Sequence, residues 1–209
     1  MSVFKEVERY VLQYPSVKDC LKEGLVNYSA LSRMIISDLK LSRKDFDAVL
    51  VSCRRLQRRL RGEPSSEKKV RDILSAAKID IKTGISVFIL ERDVYIDDLT
   101  ELEKRIRKKS EVFHLLEGVN TLTLITRQEF AEEIKELFKN KIIRKNEGLV
   151  ELMIRTSKEI EKTYGVLSYL YSLLAENKIN VFETFSTWTD TVILIDEANL
   201  ENAVKLFKF

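Results

Sequence analysis

Apolar residues recur at helical spacing in the first third of the chain and at mixed strand and helix spacing thereafter. Val3, Val7, Tyr10 and Val11 set an amphipathic helix over residues 3–13. Pro15 ends it, Ser16 is placed to cap a short helix over 17–23, and Gly24 closes that one. Asn27 or Ser29 caps a third helix, with Leu31, Met34, Ile35 and Leu39 facing inward. After a turn at Leu41 and Ser42, residues 42–45 read as a capping-box start to a fourth helix that reaches Arg61. Its core stripe is Phe46, Val49, Leu50, Cys53, Leu56 and Leu60. Residues 62–66, Gly-Glu-Pro-Ser-Ser, are a loop, and a helix over 67–77 follows. Short helices with tight turns predict a small helical domain of helix-turn-helix character over residues 1–75.

From Lys78 the period changes. Residues 79–81 and 85–90 are strand-like, with Gly84 permitting a bulge between them. Asp97 or Asp98 caps a helix holding Leu99, Leu102 and Ile106. Strands are predicted over 112–116 and 121–125. Thr126 then caps a helix through Phe130, Ile134, Leu137 and Phe138, and Ile142-Ile143 is a short fourth strand. That order is βαββαβ, and it begins again at residues 149–154. Gly165 opens a helix with Val166, Leu167, Leu170, Leu173 and Leu174 on one face, and polar residues 176–178 end it. A strand starts at residues 179–182, residues 186–190 form a polar break, and 191–195 is the next strand before a helix over 199–207. Two copies of one element order form an internal repeat. The predicted fold is α+β: a small helical bundle followed by two ferredoxin-like βαββαβ modules, 78–146 and 147–209. The sequence ends at Phe209 with no fourth strand for the second module, so that strand is missing or supplied from elsewhere. An open sheet edge invites pairing with another chain, which predicts a homodimer.

The chain has 209 residues, 44% of them hydrophobic and 33% charged, enough to bury a core beneath an ordinary solvated surface. No apolar run approaches the roughly 18 residues that span a bilayer, and no signal-like start is visible, so a cytoplasmic location is expected. Cys20 and Cys53 each occupy an apolar helical position and read as reduced, buried thiols. His114 is the single histidine, in an apolar run, which leaves a metal centre or a catalytic triad without ligands or partners. With 6 glycines and no Gly-rich phosphate loop, no catalytic residues, metal or cofactor are assigned. Charge is uneven: residues 1–75 hold 16 Lys and Arg against 10 Asp and Glu, net +6, leaving −3 for the rest of a chain of net +3. Arg54, Arg55, Arg58, Arg59 and Arg61 cover the last two turns of the fourth helix. They read either as a face offered to phosphates or as a solvated face complementing the helix dipole.

Four groups of residues carry a family resemblance: Gly165-Val166, Leu173-Leu174, Ile179-Asn180-Val181 and Ser186-Thr187. They resemble an ACT domain, the small βαββαβ regulatory module that binds amino acids, and in particular the regulatory end of aspartokinases. The likeness covers residues 148–209 and more faintly 79–145. It implies an effector in the turn between the first strand and first helix, often against the second strand of a neighbouring unit. Mapped here, the ligand-binding candidates are Ser157, Thr163, Tyr164, Gly165, Val166, Asn180 and Val181. Backbone N–H groups at the helix start suit a carboxylate, and Gly165 lets backbone approach it closely. Where many ACT domains carry Asp-x-Pro-Gly, this chain has Lys162 and Tyr164 before Gly165. Otherwise Gly165 only turns the chain, and Thr187, Trp188 and Asp190 only close a hairpin.

The function these patterns predict is a non-catalytic regulatory protein that binds an amino acid or similar small metabolite. The alternative is a nucleic-acid-binding transcriptional regulator that uses the arginine helix, with the ACT half as sensor or dimeriser. A third is a regulatory subunit for a separate biosynthetic enzyme. No membrane partner is expected.

Overall fold

Two glycines 64 positions apart shape the sheet. Gly84 and Gly148 both have positive φ, +64° and +67°, and each sits inside a strand of 14 residues. A bulge, where a side chain would be strained and glycine is not, lets each strand bend and continue: at Gly84 it is the expected bulge, and at Gly148 it joins the strands expected at 142–143 and 149–154 into one. The structure, a computed structural model, describes residues 2–62, 67–94, 96–109 and 112–207. The expected loop at 63–66 and the chain end at Phe209 lie outside the described residues. The chain forms two compact units, residues 1–65 and 66–209.

In the first unit, α1 (Val3–Gln13), α2 (Pro15–Glu23), α3 (Tyr28–Asp38) and α4 (Phe46–Leu60) pack around Val7, Val11, Leu21, Ile35, Val49, Cys53 and Leu56. The Asn27 side chain accepts the Ala30 N–H at 3.0 Å, and Ser42 with Asp45 completes the expected capping box. Pro15 is the first residue of α2, so Ser16 lies inside that helix and does not cap it. Of the two cysteines only Cys53 is buried; Cys20 is exposed, because short α2 buries Leu21 and turns its neighbour outward. Burial pushes the Cys53 thiol up to about 11. One thiol should therefore react with a disulfide reagent in the folded protein at neutral pH, and two after denaturation. Equal labelling of both before denaturation would contradict this core.

The second unit opens with α5 (Glu67–Ser75) and is built on one six-stranded sheet. Its strands are β1 (Lys78–Glu91), β2 (Phe113–Glu117), β3 (Thr121–Arg127), β4 (Ile142–Arg155), β5 (Val181–Thr187) and β6 (Asp190–Asp196). The order is β2-β3-β1-β4-β6-β5, with every pair antiparallel. Helices α6 (Ile96–Lys109), α7 (Ala131–Leu137) and α8 (Val166–Glu176) connect them, and α9 (Leu200–Leu206) follows β6. Two ferredoxin-like modules share the long strands. The first uses residues 85–91, β2, β3 and 142–147. The second uses 149–155, β5, β6 and residues 78–82, which pair in register from Lys78↔Arg155 to Lys82↔Glu151. The fourth strand of the second module is thus supplied by residues 78–82, which the sequence pattern places in the first module, 78–146. Helix α5 goes with it: Val70, Ile73 and Leu74 pack on Val150, Leu152 and Ile154, not among the N-terminal helices.

Each half of the sheet buries one face under helices, Phe88, Leu90 and Leu124 beneath α6 and α7, Leu152, Ile154 and Ile193 beneath α8 and α9. The opposite faces meet each other. Ile85, Val87, Ile125, Leu149, Val192 and Leu194 form a second apolar layer. His114 on β2 and Phe185 on β5, from the two ends of the strand order, have ring centroids 4.9 Å apart. Bending at the glycines folds the sheet over, and Glu151, fully buried, lies in that layer with Oε2 2.9 Å from His114 Nε2 and Oε1 3.6 Å from Lys82 Nζ.

Candidate functional site

The first strand of the second module ends at Arg155, and the chain must return over the sheet as a helix. Between them, residues 158–162 form a 3-10 turn, and Gly165 starts α8 with φ +94°. That left-handed start suits glycine. It also leaves the helix without a side-chain cap, so the N–H groups of its first turn have no capping side chain. A methyl group built on Gly165 would meet nothing within 4 Å: the backbone there faces open space.

That space is a cavity of about 330 Å³. The 3-10 turn contributes Ile160, Glu161 and Thr163; the helix start contributes Gly165, Val166, Leu167 and Ser168; the β5–β6 hairpin contributes Ser186 and Trp188. Thr163 is 7% exposed, and its hydroxyl has no hydrogen-bond partner. A buried hydroxyl left unsatisfied costs about 1–3 kcal/mol. Trp188 begins a two-residue hairpin turn at φ +52°, a conformation unusual for so bulky a residue. Thr156 holds that turn: its N–H and hydroxyl both donate to the Thr189 carbonyl, at 2.9 and 3.0 Å. The Lys158 ammonium lies 5.0 Å from the centre of the Trp188 ring.

Of the residues picked out in the sequence, the structure brings Thr163, Gly165 and Val166 to this cavity. Ser157 is exposed and starts the 3-10 turn, and Tyr164 is 72% exposed beside the cavity without lining it. Asn180 and Val181 stand at the start of β5, whereas the cavity lies at its end. The reason is length: α8 has 11 residues, about 16 Å at 1.5 Å each, and carries the chain to the far end of the sheet. Ile160, Glu161, Leu167, Ser168, Ser186 and Trp188 complete the lining, and none of the six is among the ligand candidates read from the sequence. A tryptophan in a polar two-residue turn was the available signal for the last.

The arginine helix is engaged within its own unit. The guanidiniums of Arg55 and Arg59 lie 4.6 and 5.6 Å from the Phe4 ring centre, Arg59 also pairs with Glu8, and Arg54 lies 5.8 Å from the ring of Tyr28. Three of the five arginines hold α4 against α1 and α3. Among the described residues no His, Cys, Asp and Glu side chains cluster as a metal site, and no helix is long and apolar enough to cross a membrane.

The family model of the ACT domain matches residues 152–208. No curated protein matches the sequence. Among solved structures, aspartate kinase of Clostridium acetobutylicum is similar at TM-score 0.50 and 14% identity, over 62% of this chain and 33% of that one. The ligand-free regulatory subunit of aspartate kinase from Thermus thermophilus gives 0.48 and 12%, over 62% and 92%. A protein of unknown function from Vibrio cholerae gives 0.48 and 16%, over 68% and 96%. The chain thus spans a third of the length of the Clostridium enzyme. At these identities the likeness is one of fold. The segment that the ACT-domain model matches, residues 152–208, is completed in the fold by a strand and a helix that precede it in the chain.

Proposed function

We propose that this protein is a non-catalytic regulator that binds an amino acid or similar small metabolite in the cavity at the start of α8. The observation that carries the reading is Thr163: a buried hydroxyl without a partner, beside uncapped helix N–H groups and open space at Gly165. Helix N-termini bind carboxylates through their free N–H groups and the helix dipole. The ACT match of residues 152–208 supports the same reading, since amino-acid binding is the activity that the family resemblance implies. The protein is expected to act as a homodimer in the cytoplasm, with β2 and β5 as the terminal strands of its sheet.

A thermal-shift screen of the full chain against the twenty amino acids tests the proposal. A ligand at 100 times its dissociation constant should stabilise the folded state by about 2.7 kcal/mol. Thr163→Val should act in two directions, leaving the free chain as stable or up to about 1 kcal/mol more so, while weakening the ligand-induced shift. A screen with no shift for any amino acid would overturn the reading.

A further inference from the structure

We infer that the ligand of this cavity is an α-amino acid with an uncharged, largely apolar side chain, and that Trp188 selects it. The inference rests on the effector-site reading above and adds the class of ligand. The carboxylate has its place at the first turn of α8, next to the Thr163 hydroxyl. Among the described residues lining the cavity, Glu161 is the one that carries a charge, and it is the partner for the ammonium. Both charges of the amino acid are then matched.

Nothing remains for a third charge. An acidic side chain would add a second anion beside Glu161, and the nearby cation, Lys158, is not among the lining residues and already stands over the Trp188 ring. A basic side chain would find Glu161 already engaged and would meet Lys158, whose ammonium stands 5.0 Å from the Trp188 ring centre. The surfaces left are Ile160, Leu167 and the indole of Trp188. The indole is held there by a turn in which a non-glycine residue has φ +52° and whose carbonyl is anchored twice by Thr156. A strained residue kept by such anchoring is the pattern of a ligand clamp.

Titration calorimetry of the full chain with leucine, phenylalanine, lysine and aspartate tests this, alongside Trp188→Gly. Glycine suits positive φ, so that variant should melt no lower than the parent, yet bind the uncharged ligand about tenfold more weakly. Leucine or phenylalanine should bind at least about tenfold more tightly than lysine or aspartate. Tighter binding of lysine or aspartate, or unchanged binding by Trp188→Gly, would overturn the ligand class and leave the effector site standing. Absence of binding by all twenty amino acids would overturn both.

Discussion

A fragment of residues 147–209 should remain unfolded, while residues 66–209 fold cooperatively. The fragment contains the whole ACT match, yet lacks two parts of its own module. Residues 78–82 form the strand beside 151–155, and α5 places Val70, Ile73 and Leu74 in the core under Leu152 and Ile154. Full burial of an aliphatic side chain contributes about 1.5–3 kcal/mol. Losing these three, with Ile79 and five register pairs of the ladder, removes about as much as the 5–15 kcal/mol by which a domain is stable. It also bares a sheet edge, so the fragment should aggregate on concentration. Circular dichroism melts and amide exchange on the two fragments decide the matter. A cooperative transition in 147–209 would show that the strand before the first module is dispensable.

His114→Ala should cost about 1–3 kcal/mol in urea denaturation, although His114 lies outside the aliphatic core. Glu151 is fully buried between the two half-sheets, and His114 Nε2 is the hydrogen-bond partner of its Oε2. Its Oε1 has none, since Lys82 Nζ at 3.6 Å is beyond hydrogen-bond reach. Removing the imidazole leaves the carboxylate in an apolar layer of Ile85, Val87, Leu149 and Val192 with Lys82 alone, and strips Phe185 of its ring contact. The cost is that of a buried carboxylate that keeps Lys82 nearby but loses its hydrogen-bond partner. Adding Glu151→Leu to His114→Ala should restore most of the loss, because a hydrophobic residue of similar size serves such a site as well as an ion pair does. A His114→Ala loss below about 1 kcal/mol would mean that the two sheet faces do not close on Glu151.

How far these features could be read beforehand differs by element. The four helices of the first unit declare themselves through stripes such as Val49, Cys53, Leu56 and Leu60, and through the Ser42–Asp45 capping box, all settled within a few turns of chain. The βαββαβ order is legible for the same reason, and so is Gly165, whose left-handed conformation is a local demand. Three of the proposed ligand residues, Thr163, Gly165 and Val166, follow from their place next to that turn. Ser186 and Trp188 reach the cavity only because β5 ends where β4 ends, a matter of sheet register.

His114 looked like a lone residue in an apolar run. Its partner Glu151 is 37 positions away on another strand, and no periodicity within either strand announces the pair. The sequence by itself determined the elements, their repeat and the glycine positions at Gly84 and Gly165, because steric preference and burial act over a few neighbouring residues. The tertiary structure decided which strand completes which module, that the outer faces close on each other over Glu151, and that a hairpin tryptophan stands over a helix start. Those depend on pairing between segments far apart in the chain, where many registers satisfy the same local pattern and the packing of the whole sheet selects one.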